Sequence, residues 1–246
     1  MRPYFIMNIL MIGDVIGRPG RKAAAGLLPS LREELKLDLV IANGENAAAG
    51  RGLTPGTAQE LFDAGVDVLT SGNHIWDQKE ILTIIDKESA ILRPANYPPS
   101  APGRGVLTQK GVTVLNLQGR TFMVEIDDPF RAADAALESL DENAIVFVDM
   151  HAEATSEKQA MGRYLDGRVS AVVGTHTHVP TADARILPGG TAYVTDVGMV
   201  GPMESIIGND IESVLRRFTT GMPTRLRRCS SIVRGCRGAT RRAIRR

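Results

Sequence analysis

Short Val/Ile/Leu-rich runs alternate with helix-period segments through the first two-thirds of this 246-residue chain. That alternation restricts the fold to a mainly parallel sheet with covered faces. Strands are expected at 9–12, 39–42, 66–70, 144–148 and 169–173, with hairpins over 106–117, around Lys110-Gly111, and over 186–195. Helices are expected at 21–35, 55–64, 79–85, 129–140, 155–165 and 210–218. In the first of these Pro19 stands near the start, and Leu27, Leu28, Leu31 and Leu35 form one apolar face. The proline-rich stretch 93–102 reads as a loop. A hydrophobic content of 43% with 23% charged residues is that of a water-soluble globular chain, and 1–224 is read as a single domain.

In open α/β sheets ligands bind outside the carboxyl ends of the strands. Polar clusters stand at five such ends: Gly13-Asp14, Asn43-Gly44-Glu45-Asn46, Gly72-Asn73-His74, Asp149-Met150-His151 and Gly174-Thr175-His176-Thr177-His178. All four histidines of the chain fall in the last three. Taken singly, each cluster has a plain reading. Asp14 suits an N-cap or a turn, Asn43-Gly44 is a frequent turn dipeptide, and Asn73-His74 resembles a capping pair. Five coincidences at one edge are harder to dismiss. Carboxylates, amides and imidazoles without a thiolate suit manganese, iron or zinc, and they outnumber the four ligands of a structural zinc. Two adjacent ions sharing a ligand is the economical solution. Asp77, three residues after His74, is placed to orient that imidazole. Trp76 is read as a packing residue, and Thr155, Ser156 and Lys158 open a helix whose N-terminus could either hold phosphate or simply be capped.

The rest of the chain excludes several classes. The apolar run at 5–12 is far too short to span a bilayer and has no cleavage pattern after it, so a cytoplasmic protein without membrane attachment is expected. Two cysteines, Cys229 and Cys236, give neither a disulfide framework nor a zinc knuckle. Residues 225–246 hold nine arginines and no acid. This stretch reads either as a basic arm for nucleic acid, RNA included, or as an out-of-frame ending. The second reading is preferred and expects the stretch to lie outside the packed core.

The order Gly-Asp, Asn-flanked acid, Gly-Asn-His, His, Gly-X-His-X-His resembles the calcineurin-like metallophosphoesterases. More narrowly, it resembles the bacterial YmdB-type family of 2′,3′-cyclic-nucleotide 2′-phosphodiesterases. The similarity runs from Asn8 to about Phe218 and includes 13–17, 72–77, 151–158 and 195–199. Met7 resembles the usual family start, which makes 1–6 an added leader, and the likeness stops at about Leu226. The resemblance implies a four-layer αββα sandwich with a dinuclear site at the carboxyl edge of the strands. Asp14, Glu45, Asn46 and His178 would then hold one ion, and Glu45, Asn73, His151 and His176 the other, with Glu45 bridging. His74 would be the catalytic acid and not a ligand. Two departures stand out from the wider superfamily: Ile16 occupies the place of a ligand histidine, and the bridging acid is Glu rather than Asp. Asn46 would fill the vacancy.

Such a site would clamp a phosphodiester, activate a shared water for in-line attack and use His74 to protonate the leaving oxygen. Cyclic nucleotides, 2′,3′- and also 3′,5′-cyclic, are implied by the resemblance alone. Two rival readings stay open: a regulatory module that binds metal and nucleotide without turnover, and an RNA-binding protein or nuclease using the basic stretch. A homo-oligomer is the general expectation for a soluble enzyme.

Overall fold

The computed structural model describes residues 7–229. The expected leader at 1–6 lies outside the described residues, as does 230–246 of the arginine-rich stretch. The chain runs β1 (Ile9–Ile12), β2 (Asp14–Val15), α1 (Gly17–Glu34), β3 (Leu39–Asn43), α2 (Pro55–Asp63) and β4 (Val68–Thr70). A short 3-10 helix (Lys79–Thr83) and a loop lead to β5 (Val106–Gln109), β6 (Val112–Gln118), α3 (Pro129–Glu138), β7 (Ile145–His151) and α4 (Thr155–Tyr164). There follow β8 (Ala171–Thr175), β9 (Arg185–Ile186), β10 (Ala192–Val194), β11 (Met199–Val200) and α5 (Ile211–Thr220).

Two sheets form the centre. One is the parallel trio β1-β3-β4; the other has the order β5-β6-β7-β8-β10-β9, parallel from β6 to β10 with an antiparallel strand at each edge. Burial along β3 explains why they stack. Leu39 and Ile41 face a core shared with Val112, Val114 and Phe147 of the second sheet. Val40 and Ala42, on the opposite face of the same strand, pack with Ala24 and Leu28 of α1 and Leu61 of α2. A third core joins Leu115, Val148 and Met150 to Ala133 of α3 and Met161 of α4. Period-two side chains thus divide between two apolar layers, which is why these strands read as unbroken hydrophobic runs. A fully buried residue such as Ile41 contributes about 1.5–3 kcal/mol. Three cores between four layers make the αββα sandwich that the resemblance implies.

Several local expectations need correction. Helix α1 begins at Gly17, not 21, and its buried side is Gly20, Ala24 and Leu28, while Leu27 is exposed. Gly20 lets the helix approach β11, since a Cβ there would meet the Val200 carbonyl. Residues 79–83 form a 3-10 turn, shorter than the helix expected over 79–85. Strand β7 runs on through His151, because Gln118, His151 and Thr175 remain in register across β6, β7 and β8. The β2–β11 pair was not expected, being only two residues a side. Among the described residues no helix is long and apolar enough to cross a membrane. Of the arginine-rich stretch, 225–229 is described: Arg228 forms an isolated bridge to Asn209, and the Asp210 N–H donates to the Arg227 carbonyl at 2.8 Å.

Candidate metal centre

Parallel strands bring their carboxyl ends to one edge, and the five polar clusters meet there. Asp14 lies on β2, Glu45 and Asn46 follow β3, Asn73 and His74 follow β4, His151 ends β7, and His176 and His178 follow β8. Asp14, Glu45 and His151 are completely buried. Ligand atoms of Glu45, His151 and His176 all lie within 4.8 Å of one another.

Each imidazole is held by one nitrogen so that the other points inward. His151 places Nδ1 2.9 Å from the Thr175 hydroxyl, which itself donates to Asp149 Oδ1 at 2.7 Å. A hydroxyl has one proton, so Thr175 accepts from His151 Nδ1–H, and Nε2 points inward, where loss of its proton would free a lone pair for a metal. That Nε2 faces Glu45 Oε1 at 3.1 Å, Asn73 Oδ1 at 3.2 Å and His176 Nδ1 at 3.0 Å. His176 turns its Nε2 outward to Glu153 Oε2 at 3.0 Å. His178 donates Nδ1–H to the Ile207 carbonyl at 3.2 Å, leaving Nε2 3.4 Å from Asn46 Nδ2 and 3.6 Å from Asp14 Oδ1.

The oxygen donors are braced differently. Backbone N–H groups fix the carboxylates: His176 N–H donates to Asp14 Oδ2 at 3.0 Å, and His74 N–H donates to Glu45 Oε2 at 3.2 Å. Asn46 Nδ2 bridges Asp14 Oδ1 at 3.2 Å and Glu45 Oε1 at 3.0 Å. Beside this cluster, His74 Nδ1 meets Asp77 Oδ2 at 2.9 Å, with His74 partly exposed at the cavity wall.

Backbone geometry carries part of the design. The requirement for glycine at position 72 is steric: a Cβ on Gly72 would fall on the His151 ring. Gly174 sits inside β8, where a Cβ would strike the Thr195 carbonyl. His176 and His178 make the bend themselves, with φ of 100° and 65°. Such backbone costs ~1–3 kcal/mol per residue and needs holding. Asp196 does this, accepting from Thr177 N–H at 3.1 Å and Thr177 Oγ1 at 2.7 Å, and from Lys158 Nζ at 2.7 Å. Both Lys158 and Asp196 are buried. Lys158 is therefore a loop anchor and not a phosphate ligand. Thr155 and Ser156 stand exposed on the first turn of α4 and are not among the residues, Glu45, Asn46, His74, His176 and His178 included, that line the cavity.

Electrostatics follow from the crowding of charges. Burial disfavours a charged His151, yet Glu45 with Asp14 and Asp149 outweighs it and pushes the imidazole up to about 9. Burial and the His151 charge together drive His176 down to about 3, leaving it neutral. Burial, helped by the Asp14 charge, lifts Asp149 to about 6 against the His151 charge and its Thr70 and Thr175 hydrogen bonds. Asp14 and Glu45 are both lowered: burial opposes this, and the facing histidines win.

Glu153, Asp196 and Thr70 were given no role from sequence, and Asn43, Asp149 and Thr175 were named only as members of the polar clusters. One signal of a role did exist. Asp149 interrupts the apolar strand Ile-Val-Phe-Val-Asp-Met-His, and a carboxylate inside a buried strand needs partners.

Relatives share this arrangement of elements. A 2′,3′-cyclic-nucleotide 2′-phosphodiesterase of Bacillus subtilis (strain 168) is 52% identical over 224 residues, covering 89% of this chain and 85% of the relative. The crystal structure of a hypothetical protein from Thermus thermophilus superposes with a TM-score of 0.86 at 50% identity, over 92% of this chain and 89% of that one. A crystal structure of a novel phosphatase from Mycoplasma pneumoniae gives a TM-score of 0.86 at 35% identity, over 93% and 85%. Residues 10–240 match the YmdB-like protein family, and the chain belongs to it.

Proposed function

We propose that this chain is a dinuclear metal-dependent phosphodiesterase acting on cyclic nucleotides, 2′,3′-cyclic first and 3′,5′-cyclic second. The observation that carries the reading is the convergence of the Glu45, His151 and His176 donor atoms from both sheets within 4.8 Å. The name of the Bacillus subtilis relative supports the substrate class.

The donor set fits first-row divalent or trivalent ions. Two carboxylates, two amides and three imidazoles, each imidazole with an inward nitrogen, suit manganese, iron or zinc. Asp14, Glu45, Asn46 and His178 would hold one ion, and Glu45, Asn73, His151 and His176 the other. Asn46 would turn its amide so that Oδ1 replaces Nδ2 at the centre. When bound, the two ions supply positive charge for the phosphoryl oxygens and an acidified water as nucleophile. The remaining work falls to the chain. Asp77 accepts Nδ1–H of His74 and holds its ring, so that protonated Nε2 can deliver a proton to the departing oxygen. The His74 amide, by donating to Glu45, ties the acid's backbone to the bridging carboxylate.

The test is hydrolysis of a panel of 2′,3′- and 3′,5′-cyclic nucleotides before and after chelation. Turnover that chelation abolishes and manganese restores is expected. A protein that keeps its metal but cleaves neither the panel nor bis-p-nitrophenyl phosphate would be a sensor, and the reading would be wrong.

A further inference from the structure

Five arginines, Arg51, Arg217, Arg225, Arg227 and Arg228, line the cavity of about 1070 Å³ that opens onto the metal centre and His74. Four arginines elsewhere are paired. Arg21, Arg32, Arg120 and Arg168 each meet a carboxylate. None of the five around the cavity forms an ion pair among the described residues. They come from three separate segments: the loop after β3, the last turn of α5 and the 225–229 stretch. That stretch is tied down beside the centre. Arg228 Nη2 donates to the Gly50 carbonyl at 2.8 Å, and burial together with the neighbouring Arg51 charge lowers the Arg228 pKa.

Unpaired guanidinium groups gathered on one wall repel one another and lower their energy by taking up anions, which for planar forked donors means phosphate. A single cyclic nucleotide does not satisfy this wall. Its one phosphodiester belongs at the floor with Glu45, and the cavity lies at the upper end of the ~300–1,000 Å³ typical of small-ligand sites, with room beyond one nucleotide. Among the described residues no Phe, Tyr or Trp lines the space, so bases have no stacking platform there and recognition runs through the backbone. The buried floor also requires a strand free to bend inward.

We infer that the centre takes its phosphodiester from a short single-stranded oligonucleotide, the arginine wall holding phosphates adjacent to the one cleaved. The inference rests on the phosphodiesterase reading above and extends its substrate class. Recognition is indifferent to base sequence.

The experiment compares kcat/KM of the full, metal-loaded chain for a 2′,3′-cyclic mononucleotide and for a pentanucleotide ending in the same 2′,3′-cyclic phosphate. The variant carries Arg51→Ala, Arg217→Ala and Arg225→Ala, whose side chains form no hydrogen bond among the described residues. A preference of at least about tenfold for the pentanucleotide is expected at low salt, falling with log[salt] at a slope of about −2 if three phosphates are engaged. The preference should vanish in the triple variant and survive when the same positions are changed to Lys. Equal kcat/KM for the two substrates, or a preference that the triple variant retains, overturns the inference and leaves the phosphodiesterase reading standing. Failure of the wild type to cleave either substrate removes both.

Discussion

The two halves of the molecule furnish the centre with different chemistry. The amino-terminal half, around the three-stranded sheet, supplies oxygen: Asp14, Glu45, Asn46 and Asn73. The six-stranded sheet supplies nitrogen: His151, His176 and His178. Their support differs as well. Oxygen donors are cross-braced by loop N–H groups and by each other, while every imidazole is gripped from behind on its outer nitrogen. Neither half holds a complete site, so the core of Leu39, Ile41, Val114 and Phe147 between the sheets sets the alignment of the donors. Carboxylates thus tolerate loop placement only when backbone amides pin them, and imidazoles tolerate burial only when a rear acceptor fixes the tautomer.

Substitutions at the joint should break this division most severely. Glu45→Ala removes the carboxylate proposed to bridge the two ions, and turnover is expected to fall to background with both ions lost, as read by metal analysis. Next comes His74→Ala, which should cost ~10²–10⁴-fold in kcat while metal content stays intact. Loss of metal in that variant would make His74 a ligand instead of the acid. Thr175→Val strips the rear acceptor from His151 and should weaken metal affinity or activity by ~10–100-fold. An effect of that size with none from Asn43→Ala, whose Nδ2 lies 3.3 Å from the same His151 Nδ1, would show that the imidazole half depends on its rear grip more than on the neighbouring amide.

The smallest effect is one of pH. In metal-free protein the folded pKa of His151, about 9, lies above its unfolded value of 6.5. The corresponding stabilisation is fully present below 6.5 and is lost as pH rises to 9. The raised His178 acts in the same direction, whereas His176, at about 3 when folded, is neutral in both states once pH has passed 6.5. Thermal melts of chelated protein should therefore decline from pH 6.5 to 9. In loaded protein a cation replaces the His151 proton, and the slope should disappear. Equal slopes in both forms would remove His151 from the ligand set.

Much of the centre was legible because its residues sit where unbroken apolar runs stop, at Asp14, Asn43, Asn73 and His176. Strands buried on both faces announce themselves, and their ends follow. What could not be read was partnership across the chain. Thr70 and Thr175 look like ordinary strand residues until Asp149, 79 and 26 positions away, is seen to receive their hydroxyls. Lys158 at a helix start suggested phosphate, and only its burial against Asp196 reveals an anchor. The left-handed backbone of His176 and His178 has no sequence signature, since glycine is absent from both positions.

The most direct test of a shared, two-half centre is anomalous diffraction from crystals grown with manganese. Two peaks ~3.5–4 Å apart, with Glu45 between them, Asp14 and His178 on one and His151 and His176 on the other, is the expected result. A single peak, or two peaks that do not share Glu45, would contradict the account.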